Sequence, residues 1–111
     1  MYTIDVPGSV TSYLSGSSAV QGQPYSENPE IERGAQELCT AYGTARRISR
    51  GRGFSLRLEL PSREAVIVLD EYAEMCIESN LYGDPEPAEL RAARQLRVRC
   101  AEAIGQPVPR W

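Results

Sequence analysis

The sequence predicts an α+β fold: three amphipathic helices packed on a small antiparallel β-ribbon, in the order helix, ribbon, helix, helix. Two patterns carry that expectation. Phe54, Leu56, Leu58 and Leu60 alternate with Ser55, Arg57 and Glu59, the period of two expected of a half-buried strand. Elsewhere, apolar residues recur three and four positions apart, as they do on one face of a helix. The chain has 111 residues, 41% of them hydrophobic and 24% charged, which suits one globular domain.

Residues 1–28 form the least regular part and are expected to be a flexible or loosely packed arm. Tyr2, Ile4 and Val6 alternate as in a short strand, which Pro7-Gly8 would end. The stretch that follows, SVTSYLSGSSAVQGQPYSEN, is rich in serine and glycine and predicts at most one helical turn near Val10 to Leu14.

The single globular domain is expected over residues 29–105. Its first helix has Asn28 as cap, Pro29 at the first position, and Glu30 and Glu32 at the positive end of the dipole. Ile31, Ala35, Leu38, Cys39 and Tyr42 make its apolar face, and Gly43 reads as a left-handed stop. The alternating strand comes next. Its hairpin partner is expected over Thr44 to Arg50, across a three-residue loop Gly51-Arg52-Gly53. That register sets Ile48 opposite Leu56 and Arg47 opposite Arg57.

Pro61-Ser62 ends the strand, with Ser62 capping the second helix. Ala65, Leu69, Tyr72, Ala73 and Cys76 share its apolar face, widened by Val68 and Ile77. It should end between Asn80 and Gly83. Asp84-Pro85 would open the third helix, striped by Ala93, Leu96, Cys100 and Ile104 and stopped by Gly105 and Pro107. Residues 106–111 are a short tail ending in Trp111.

Composition narrows the function. There is no histidine, so the commonest general base and metal ligand at neutral pH is missing. Cys39, Cys76 and Cys100 lack a paired spacing and fall on apolar helix faces, where a free cysteine acts as a small hydrophobe. Glu71, Glu74 and Glu78 lie along one helix face without a second cluster to complete a cation site, so they read as a solvated acidic face. Gly51-Arg52-Gly53 lacks the spacing of a phosphate-cradling loop. The expectation is a protein that is not an enzyme, with no catalytic residues, no metal and no cofactor. The N-terminus shows no basic-then-apolar signal and no apolar run suits a membrane span, so the expected location is cytoplasmic, without membrane association.

The remaining accent is charge. All twelve cationic side chains are arginine, a composition that fits a GC-rich bacterial or phage genome. Residues 44–63 hold six arginines and one glutamate, a net of +5, whereas the rest of the chain holds six arginines and fourteen acids, a net of −8. This segregation makes Arg46, Arg47, Arg50, Arg52 and Arg57 candidate nucleic-acid-binding residues. A plainer account pairs the basic hairpin with the acidic helix faces, within one chain or across a homodimer.

The stretch FSLRLELPSREAVIVLDEYAEMCI, residues 54–77, resembles the strand and first helix of ribbon-helix-helix proteins, the MetJ/Arc type of bacterial repressors and antitoxins. Leu56, Leu58, Leu60, Pro61, Leu69 and Asp70 carry the likeness. The resemblance implies a homodimer in which this strand pairs with its own copy. Ser55, Arg57 and Glu59 would then face the DNA major groove. Two classes of function therefore stand: a small DNA-binding regulator, and a protein-interaction module such as an inhibitor or accessory factor from a phage or mobile element.

Overall fold

In the computed structural model, which describes residues 1–51, 53–81 and 87–110, the strand over Gly53–Leu60 lies in the middle of a three-stranded antiparallel sheet. The elements run β1 (Tyr2–Pro7), α1 (Gly8–Ser15), α2 (Pro29–Gly43), β2 (Arg46–Arg50), β3 (Gly53–Leu60), α3 (Arg63–Asn80) and α4 (Ala88–Ala103). The fold is thus α+β, but with four helices among the described residues instead of three, and with a sheet in place of a two-stranded ribbon. The extra elements come from the first 15 residues.

The N-terminal segment is bound into the core. β1 pairs with β3 from Tyr2 opposite Leu60 to Pro7 opposite Ser55, so Ile4 and Val6 stand beside Leu58 and Leu56 on one face. Ile4, Val6, Leu58 and Leu60 are buried there. Val10 and Leu14, one helical turn apart, bury the inner side of α1. The chain turns from β1 directly into α1, and the turn is tight. A Cβ on Gly8 would lie 2.8 Å from the Phe54 carbonyl oxygen, so only glycine fits. The single helical turn expected near Val10 to Leu14 is here a helix of eight residues.

α2 begins as its sequence predicts, with the Asn28 side chain accepting from the Glu30 N–H at 3.0 Å and Pro29 in the first turn. Its end differs: Gly43 is not left-handed, and Thr44 is the C-cap at φ −110°. The left-handed stop occurs instead at Gly105, just after α4. Ser62 caps α3 by accepting from the Ala65 N–H at 3.2 Å, and its hydroxyl donates to Glu37 of α2 at 2.7 Å. The predicted α3 face, Ala65, Val68, Leu69, Tyr72, Ala73, Cys76 and Ile77, is buried throughout. In α4, Ala93, Leu96 and Cys100 are buried while Ile104 is half-buried. Tyr82 to Glu86, and with them the expected helix start at Asp84-Pro85, lie outside the described residues, as does Trp111.

α3 lies between α2 and α4, and α4 runs on alongside β1. Where α2 meets α3 the two backbones nearly touch. A Cβ on Gly34 would lie 2.6 Å from the Glu64 carbonyl carbon and 2.8 Å from the Ala65 nitrogen. β3, flanked by β1 on one side and β2 on the other, forms the centre of the sheet. The ribbon-helix-helix arrangement would pair this strand with a copy of itself, but here both its neighbours come from its own chain.

Gly34 gives the packing a direct test. Alanine is the better helix former by about 1 kcal/mol. Overpacking against a backbone that cannot rotate away costs about 1 to 3 kcal/mol. The second effect should win, so Gly34→Ala is expected to lower the thermal midpoint by several degrees. Gly43, with nothing within 4 Å of a built Cβ, is the control, and Gly43→Ala should leave the midpoint unchanged or raise it. Thermal unfolding followed by circular dichroism reads both variants.

Candidate functional site

The basic stretch folds as the hairpin of β2 and β3. Arg50 pairs with Gly53, Ser49 with Phe54, Ile48 with Ser55, Arg47 with Leu56 and Arg46 with Arg57. This register is one residue away from the expected one, because the strands close across two residues, not three. Of the two candidate glycines only Gly51 is left-handed, at φ 57°, and Gly53 belongs to the strand. A slip of one residue exchanges faces. Ile48 therefore shares a face with Ser55, and Arg47 shares one with Leu56.

The five candidate arginines are accordingly divided. Arg46 and Arg57 stand on the sheet face turned away from the core, beside Asp5 of β1. Arg57 grips that carboxylate with both prongs of its fork, Nε to Oδ1 at 2.8 Å and Nη2 to Oδ2 at 3.1 Å. The hydrogen bond to Asp5, followed by its charge, raises the Arg57 pKa above its ordinary value. Across the sheet the row reads Asp5, Arg57, Arg46, so one acid offsets a like-charged cross-strand pair that would otherwise repel. Glu59, exposed, stands on the same face one step along β3.

Arg47 lies on the opposite face, and its guanidinium sits 4.0 Å from the centroid of the Phe54 ring. Both Arg46 and Arg47 are exposed. Arg50 is described through its backbone pairing alone, and Arg52 lies outside the described residues. Asp5 is the neighbour of these arginines that the sequence did not single out. Its signal was present in the alternation of Tyr2, Ile4 and Val6, which turns Asp5 outward once β1 is a strand.

The two edges of the sheet are treated differently. Along β1 lies α4, whose Arg99 guanidinium donates to the Asp5 carbonyl. A groove of about 470 Å³ runs there, with Asp5, Arg57, Arg99 and Glu102 in its wall, two cations against two anions. β2 forms the other edge. It packs on β3 and makes no comparable contact with any helix among the described elements.

Other reactive or titratable groups are tied into the frame. The Cys76 thiol donates to Glu89 at 3.1 Å, and Asn80 donates to the same carboxylate oxygen at 3.1 Å. Burial, then the Glu89 contact, push that thiol up to about 12, far from thiolate reactivity. Burial pushes Cys100 up as well. Arg97 of α4 holds Asp70 of α3 in a second fork, at 3.1 and 3.3 Å, and that hydrogen bond raises the arginine's pKa. Tyr25 donates to Glu71 and leans on the Tyr72 ring at a centroid distance of 5.4 Å, while the Tyr72 hydroxyl accepts from the Ala19 N–H at 3.0 Å. Among the described residues no group of three or more histidine, cysteine, aspartate or glutamate side chains is placed to hold a metal.

No protein-family model matches the chain, and comparisons with curated proteins and with solved structures find no match.

Two measurements check this electrostatic layout. Asp5→Asn removes the acid between Arg57 and its surroundings, so it should lower the thermal midpoint. In an Arg46→Ser background the same change should cost less, because the cross-strand repulsion has gone, and a double-mutant cycle at low salt reads that difference. Glu71 is raised above its ordinary value of 4.5, chiefly by burial and then by Glu74. The folded state thus holds the Glu71 proton more tightly than the unfolded state. Its contribution to stability is fully present below 4.5 and is lost as pH rises through the folded value. Glu71→Gln keeps an oxygen to accept from Tyr25, and is expected to flatten that part of the stability–pH curve and raise the midpoint at neutral pH.

Proposed function

We propose that this protein is a small non-enzymatic regulatory protein that acts by docking an acidic protein partner on its basic hairpin, β2 and β3. The observation that carries the reading is the placement of Arg46 and Arg47. Both are exposed on an edge strand, on opposite faces, within the segment that concentrates the positive charge of an otherwise acidic chain. Cationic groups at a rim attract an anionic partner and set its orientation. Support for a role without catalysis comes from the use made of the chemically capable side chains. Cys76, Glu89, Tyr25, Glu71, Asp70 and Arg97 are joined in contacts between elements. Three free cysteines suit a reducing compartment such as the cytoplasm. Among the described residues no helix is long and apolar enough to cross a membrane.

Duplex DNA is the second reading, supported by the same charge segregation and by arginine's planar fork, which matches phosphate. It is the weaker of the two on geometry. On the outward sheet face Arg57 is already gripped by Asp5, and Glu59 stands beside it, so two acids offset part of the charge that a row of phosphates would meet there.

Fluorescence anisotropy across a salt series separates the readings. A labelled acidic polypeptide should bind at low salt, and Arg46→Ala with Arg47→Ala should weaken it by about tenfold or more. Duplex DNA should bind weakly or not at all. Tight duplex binding that falls by about 0.9 log units per contacted phosphate for each log unit of salt would replace the protein reading with the nucleic-acid one.

A further inference from the structure

We infer that the outer edge of β2 takes its partner as an added strand: an extended, acidic polypeptide segment that pairs with the backbone of Arg47 and Ser49. The inference rests on the docking reading and specifies how docking occurs. Its first ground is the ladder. In an antiparallel pair, alternate residues exchange both hydrogen bonds with the partner strand, and those between them turn their N–H and C=O away. A two-residue hairpin closes on the pair that flanks its loop, here Arg50 and Gly53. Counting back from that pair, Ile48 and Arg46 bond to β3, and the backbone groups of Arg47 and Ser49 point outward. Arg47 and Ser49 are exposed, and among the described elements no helix lies along β2 as α4 lies along β1. The edge is free in the one place where the sheet is most basic.

The second ground is charge. Side chains of an added strand would alternate between the two faces of the sheet. Arg46 waits on one face and Arg47 on the other, so neighbouring acids on the incoming segment each meet an arginine. A second copy of β2 is the poorer occupant. Paired antiparallel about Ile48, it would set Arg46 against Arg50 of the other copy, and like charges directly opposite are destabilising. Strand addition draws affinity from the backbone and selectivity from alternate side chains, and both elements are present here.

The decisive substitution is Ser49→Pro. It removes an outward N–H, leaves every charge in place, and spares the bonds between β2 and β3, since proline is tolerated where its missing donor would face solvent. The probe is a labelled peptide of paired glutamates and paired valines, Glu-Glu-Val-Val repeated over about eight residues, so that both faces of the added strand carry acids. Beside it runs the same peptide N-methylated at every second residue, which keeps the charge and blocks one hydrogen-bonding edge. The full-length protein is used throughout.

The expected result is binding of the parent peptide, a loss of about tenfold or more on Ser49→Pro or on N-methylation, and slowed hydrogen exchange at the Arg47 and Ser49 amides in the complex. An unchanged midpoint for Ser49→Pro shows that the loss is not unfolding. Equal binding of both peptides to both proteins would overturn strand addition and leave charge-driven docking standing. Absence of peptide binding at low salt would overturn both, and the arginines would then serve to keep an exposed edge from pairing at all. Self-association through β2, seen by sedimentation and lost in Ser49→Pro, would make a second copy the occupant and overturn the acidic partner.

Discussion

The architecture depends on one constraint: β3 is hydrogen-bonded on both edges, and one of those edges is filled by Tyr2–Pro7 from the start of the sequence. Tyr2 meets Leu60 across a separation that has to be closed in space before any of its bonds form. What stabilises the closure is the inner face it creates. Ile4, Val6, Leu58 and Leu60 become one apolar patch of two adjacent strands, and a two-stranded ribbon alone would not supply enough such surface to hold itself in water. Outside that patch the same pairing brings Asp5 to Arg57. The apolar and ionic effects of the pairing are therefore not separable, although burial on the inner face is the larger of the two.

The helical layer repeats this dependence at its own seam. α2 approaches α3 so closely at Gly34 that a single carbon would collide with the backbone, and Ser62, which caps α3, also donates to Glu37 of α2. The start of α3 is thereby fixed at the point where the chain leaves β3. Arg97 and Asp70 fix α3 to α4, and α4 in turn closes the β1 edge through Arg99. The sheet is sealed along one side by this sequence of contacts. Among the described elements, β2 lies on the edge away from that seal.

How far the sequence could be read followed from how local each signal was. α2 and α3 were legible because caps, proline and a four-residue apolar period all lie within a few residues of one another, and the buried face of α3 agrees with its predicted one. The β3 strand was legible by its alternation. β1 showed the same alternation, but its partner lay at the far end of the pairing, and no local pattern names a partner. α1 showed in the sequence as no more than a turn, because Val10 and Leu14 are its two fully buried residues and serines and a threonine that read as loop surround them. The hairpin register turned on which of two glycines would be left-handed, a choice with no sequence signal and with consequences for every arginine beside it. The candidate site was thus visible as a charge cluster and invisible as a geometry. Its division between two faces and its anchoring by Asp5 came from strand pairing.

Under the proposed docking, that division makes a basic edge more selective than a basic face would be. A cluster of five arginines on one surface would attract any polyanion and would repel itself. Splitting the exposed pair, Arg46 outward and Arg47 over Phe54, holds the charges on opposite sides of a thin edge. The Phe54 ring holds the Arg47 guanidinium over its face, which limits the conformational freedom of a long cationic side chain. Asp5 withdraws Arg57 from competition on the outward face. A ligand broad enough to cover one face meets little net charge, whereas one thin enough to straddle the edge meets an arginine on each side. Among polymers of negative charge, the shape that straddles an edge and also satisfies its unpaired N–H and C=O groups is an extended polypeptide.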